Sequence, residues 1–95
     1  GVSVGGMTPI DASAMTYFSF SVFGGPGTNG KNIACILNDS WGDYNTVTMV
    51  EGQWTEFKVP LSSYPGVNKT AITRWILKVE GMAGSTIYVD RIGFE

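Results

Sequence analysis

Apolar and polar residues alternate with a period of two through most of this chain, the signature of strands that bury one face. In MTYFSFSVF, residues 15–23, Phe18, Phe20 and Val22 alternate with Ser19 and Ser21. KNIACILN at 31–38 places Ile33, Cys35 and Leu37 on one face, with Ala34, Ile36 and Asn38 on the other. TVTMV at 46–50 follows, and then WTEFKVP, where Phe57 and Val59 alternate with Glu56 and Lys58 until Pro60 ends ladder pairing. ITRWILKVE at 72–80 sets Arg74 and Lys78 opposite Trp75, Leu77 and Val79, the tryptophan face pointing inward. TIYVDRIGF at 86–94 closes the chain with Ile87 and Val89. Turn-forming stretches separate these runs: GGPGTNG at 24–30, DSWGDYN at 39–45, EGQ at 51–53, a crossover LSSYPGVNKT at 61–70, and GMAGS at 81–85. With a weaker candidate at 2–5, the pattern predicts seven strands and no helix. The fold class is all-β, an antiparallel β-sandwich or jelly roll.

Composition narrows the chemistry. Ninety-five residues suffice for one domain, 1–95, and 43% hydrophobic content supports a packed core. The chain has no histidine, which removes Ser-His-Asp and Cys-His nucleophile activation, histidine zinc sites and a histidine general base. Cys35, the single cysteine, has no intrachain partner and sits among Ile33, Ala34, Ile36 and Leu37, which reads as a buried small hydrophobe. Six Lys and Arg residues are scattered singly and the formal charge is −2, so nucleic acid is not an expected partner. No apolar run approaches the ~18–20 residues of a membrane span, and none follows a charged leader. A soluble domain is expected and, since it begins at Gly1, a processed or excised piece.

The order of motifs resembles a known family. PID-x5-YFSFSVFGGPGTNGK-x-I-x-C-x-L-N, then EGQWTEF-x-VPLSSY, ITRWILK and TIYVDRIGFE together look like the carboxy-terminal two thirds of a carbohydrate-binding module with the galactose-binding-like jelly-roll fold. Such modules are appended to bacterial secreted polysaccharide-degrading enzymes. The resemblance implies glycan binding without catalysis, and a secreted or cell-surface location. It also implies strands before the segment GVSVGGMTPID, so the jelly roll is expected to be incomplete at its amino-terminal end, with the sheet completed by that missing segment or by a second copy.

Sugar recognition needs an apolar plate for a pyranose ring and neighbouring groups for its hydroxyls. Trp41 and Tyr44 are candidate plates, with Asn38, Asp39, Asp43 and Asn45 in the same loop as hydrogen-bonding partners. The alternative is that Trp41 folds back as a plug over the core and Asp39 and Asp43 serve as turn formers. Tyr17, Ser19 and Ser21 share a face that is expected to form a groove with Arg74 and Lys78, unless it is an ordinary solvated face. Trp54 and Trp75 read as core. By resemblance, Asp90 is a candidate ligand of a structural calcium, helped by oxygens from the amino-terminal segment. One carboxylate falls short of the six to eight oxygens calcium takes, which leaves a contact with Arg91 or the backbone as the alternative. Asn38-Asp-Ser40 and Asn68-Lys-Thr70 match the glycosylation sequon by chance spacing. Hydrolysis of glycosides would require two opposed carboxylates, and no such pair stands out among eight acidic residues.

Overall fold

The structure, a computed structural model, describes residues 2–5, 8–81 and 86–95. Among the described residues seven strands run in order: β1 (Val2–Val4), β2 (Tyr17–Gly24), β3 (Asn32–Leu37), β4 (Asn45–Thr48), β5 (Trp54–Pro60), β6 (Trp75–Val79) and β7 (Ile87–Phe94). They form two antiparallel sheets, one of four strands in the order β1-β6-β3-β4 and one of three in the order β5-β2-β7. The all-β expectation holds. The turn read at 81–85 lies, beyond Gly81, outside the described residues. Among the described residues no helix is long and apolar enough to cross a membrane.

The alternation explains how the two sheets share a core. Phe18, Phe20 and Val22 of β2 and Val59 of β5 are buried in one cluster with Ile33, Cys35 and Leu37 of β3 and Trp75, Leu77 and Val79 of β6. Phe18 packs on Phe20 and Phe94 at 5.3 and 5.4 Å between ring centroids, within the range where tilted aromatic pairs attract. Residues of opposite parity on both sheets point away from this core. Pro60 lies at the end of the edge strand β5, where its missing N–H costs no ladder bond, and the chain then turns at Leu61–Ser63.

The crossover after β5 is anchored rather than loose. Leu61, Tyr64, Val67 and Ile72 are all buried, and the Tyr64 hydroxyl donates to the Cys35 carbonyl at 3.1 Å. Burial pushes the Tyr64 phenol pKa well above its ordinary value and the Cys35 thiol up to about 12. Cys35 is therefore a core residue, as its apolar neighbours suggest, and not a nucleophile.

The weak strand at 2–5 forms, as Val2–Val4, but beside β6 and not beside β7. In the three-stranded sheet, β7 pairs with β2 along one edge, and no second neighbour is present among the described residues. Ile87 and Val89 of β7 are half-buried against the core.

Candidate functional site

Outward parity on the three-stranded sheet gathers an aromatic row. Phe23 of β2 stands opposite Trp54 of β5 on one side and Tyr88 of β7 on the other. The rings touch in sequence, with centroids 5.8 Å apart for Phe23 and Trp54 and 6.1 Å for Phe23 and Tyr88. Trp54 is 55% exposed and Tyr88 56%. Trp54 is thus not a core residue, against the sequence expectation. It shares parity with Glu56 and Lys58, so the pleat turns it to the solvent side. Trp75, on the inward face of β6, is buried as expected.

One pleat along, Ser21 lies between Asp90 and Glu56. There the ladder is interrupted: between Ser21↔Asp90 and Ser19↔Gly93 the register shifts, so Arg91 and Ile92 together oppose Phe20. Such a bulge bends its strand and re-aims a side chain. Arg91 takes up the extra length in the left-handed region, φ 55°, which is unfavourable for a long side chain. Asp90 Oδ1 accepts the Arg91 N–H at 2.9 Å and holds the kink. Ser21, Trp54, Asp90 and Arg91 line a shallow groove of about 380 Å³ beside the aromatic row. Among the described residues neither Asp90 nor Arg91 enters an ion pair.

Asp90, the candidate calcium ligand, is exposed on β7. Among the described residues no group of three or more His, Cys, Asp or Glu side chains could hold a metal ion. The backbone hydrogen bond to Arg91 accounts for one of its oxygens.

Tyr17, Ser19 and Ser21 do share the outer face of β2, but Arg74 and Lys78 do not join them. Lys78 points outward from β6 in the other sheet, and Arg74, just before β6, pairs with Asp39 at 3.0 Å. The expected groove combining these residues is corrected: the shared core separates them. Tyr17 lies at the far end of β2 from Phe23, about 20 Å away at ~3.3 Å per residue. There it is capped by Lys58, whose ammonium is 5.9 Å from the ring centroid and 3.0 Å from Glu95.

The Trp41 loop adopts a third arrangement, neither plug nor hydrogen-bonding pocket. Trp41–Asp43 is a short 3-10 turn lying over the outer face of the four-stranded sheet. Trp41 is 47% exposed and Tyr44 42%, with their rings edge to face at 6.5 Å and the Lys78 ammonium 5.8 Å from the Trp41 centroid. Of the polar residues proposed to meet sugar hydroxyls, Asp39 pairs with Arg74 while Asn38, Asp43 and Asn45 are tied to backbone groups. Asn38 accepts from Thr73 N–H at 2.8 Å and donates to the Ala71 carbonyl at 3.1 Å. Asp43 accepts from Gly66 N–H at 2.6 Å, and Asn45 donates to the Ser63 carbonyl at 2.9 Å. Asn38 and Asp39 adopt left-handed φ values of 53° and 59°, which their short polar side chains tolerate. Ala34, Trp41, Tyr44, Lys78, Glu80 and Gly81 line a smaller depression of about 200 Å³.

Comparison of the chain with protein-family models, with curated proteins and with solved structures finds no match.

Proposed function

We propose that this chain is a non-catalytic carbohydrate-binding domain. It recognises a polysaccharide on the outer face of its three-stranded sheet, serves a secreted or cell-surface assembly, and has a β-sandwich of the jelly-roll, galactose-binding-like kind. The observation that carries the reading is the aromatic row Trp54–Phe23–Tyr88, half-buried at Phe23 and exposed at both ends, beside a groove holding Ser21, Asp90 and Arg91. Exposed rings on a strand framework offer flat apolar area to the C–H face of a pyranose. A carboxylate, a guanidinium and a hydroxyl offer acceptors and donors for its hydroxyls. The rings lock one another across three paired strands, so little ordering remains to be done on binding. The test is affinity gel electrophoresis through β-glucans, xylans and mannans. Retardation by at least one polysaccharide is expected, and uniform mobility across the panel overturns the reading.

Glu56 and Asp90 flank Ser21, which raises the question of a hydrolytic carboxylate pair. Both lie on exposed strand positions, open to water rather than enclosed in a cleft. Release of no reducing sugar from a bound polysaccharide is the expected result.

A second reading, assembly through a partner strand, is favoured by the open edge of β7 and its half-buried Ile87 and Val89. An added strand would complete that ladder, supplied by an amino-terminal segment or a second copy. Light scattering beside intact-mass measurement distinguishes the cases, since a species above 10.2 kDa or a retained companion peptide supports assembly.

A further inference from the structure

We infer that the domain carries a second, independent sugar platform formed by Trp41 and Tyr44 with Lys78 and Glu80, and so bridges two glycan chains. The inference rests on the carbohydrate reading above and extends it from one site to two.

The first argument is position. Phe23 and Ser21 lie on β2 with outward parity, opposite the buried Phe20 and Val22. Lys78 lies on β6 with outward parity, between the buried Leu77 and Val79. Both inward sets belong to one core, so the Trp54 groove and the Trp41 depression open on opposite sides of the molecule. A short oligosaccharide in one cannot reach the other.

The second argument is rigidity. An exposed tryptophan on a free loop would lose binding energy to ordering. The backbone of the Trp41 turn is held before any ligand arrives. The Trp41 backbone N–H donates to the Asp39 carbonyl at 2.9 Å, Asp39 pairs with Arg74, and Asp43 and Asn45 fasten the other side of the turn to Gly66 and Ser63. The polar side chains of this loop fix the platform, which explains why so many sit around two aromatic rings that remain nearly half exposed.

The third argument is chemistry. The Lys78 ammonium, a donor, lies over the indole ring 5.8 Å from its centroid, and Glu80, an acceptor, lines the same depression. A flat apolar ring beside one donor and one acceptor is the minimum set for a pyranose. It is the same combination as in the Trp54 groove, where Arg91 and Asp90 supply the polar pair.

The experiment combines calorimetry with hexasaccharides of β-glucan, xylan and mannan and turbidity with the matching long polysaccharides. The wild-type chain is expected to bind two hexasaccharides and to cross-link the polymer. Trp41→Ala and Trp54→Ala should each reduce the stoichiometry to one and abolish cross-linking while leaving polymer binding detectable. Tyr44→Ala should resemble Trp41→Ala, and a thermal midpoint near wild type excludes unfolding as the cause. A stoichiometry of one that Trp41→Ala leaves unchanged while Trp54→Ala abolishes it overturns the second platform and leaves the first standing. Absence of binding to every probe overturns both. Cross-linking that survives Trp41→Ala comes from self-association and also overturns the inference.

Discussion

Replacing Trp54 with alanine removes the largest exposed ring of the proposed site, and its cost divides unevenly between binding and stability. Trp54 is 55% exposed, and an indole side chain offers up to about 250 Å². Stacking a sugar ring over about 100 Å² of the exposed part would contribute ~2.5 kcal/mol at ~25 cal/mol per Å². That corresponds to roughly 60-fold in affinity. Ordering of the ligand and of a side chain offsets part of it, by ~0.5–1.5 kcal/mol for each group immobilised, so a loss of tenfold or more is expected. Stability should fall by only ~0.5–1.5 kcal/mol, chiefly the tilted contact with Phe23. A domain with ~5–15 kcal/mol in hand stays folded. Calorimetric titration of wild type and Trp54→Ala, with a thermal melt of each, separates the two effects. Wild-type affinity in a folded Trp54→Ala protein, or a stability loss that accounts for the whole binding defect, refutes the reasoning.

Other substitutions probe neighbouring claims. Trp75→Ala, which empties a buried position in the shared core, should destabilise by ~3–5 kcal/mol in urea titration. Arg91→Gly should raise stability by up to about 1 kcal/mol, because glycine accepts φ 55° without strain, and should weaken glycan binding by removing the guanidinium. Opposite signs in melting and binding assays are the signature. Native Cys35 should resist thiol reagents below pH 9 and react on unfolding, since burial holds its pKa at about 12. A native thiol that stays protonated while the unfolded one ionises means the folded chain binds more protons from about pH 9 to about pH 12. Stability is therefore whole below pH 9 and should decline as pH rises through that window.

Much of the framework was legible in the chain because period two is written in adjacent residues. Phe18, Phe20 and Val22 against Ser19 and Ser21, or Trp75, Leu77 and Val79 against Lys78, declare their faces locally. The same rule applied to Trp54 shows it outward with Glu56 and Lys58, so reading its strand register as core overlooks a parity written in its own neighbours. Other features depend on partners far along the chain. The bulge at Arg91 exists because β7 carries one more residue than β2 opposite Phe20, which no property of YVDRI reveals. Asp43 looks like a sugar ligand until Gly66, 23 residues away, donates to it. Which sheet holds Lys78 and which holds Tyr17 follows from strand order, so one groove in the sequence becomes two opposite faces in the fold.

The central claim is most directly tested by following backbone amide and indole NMR signals while titrating whichever polysaccharide fragment the domain retains. The account predicts that Ser21, Phe23, Trp54, Tyr88, Asp90 and Arg91 shift together with one affinity, the Trp54 indole N–H among the largest movers. Saturable binding that leaves all six signals in place would contradict it.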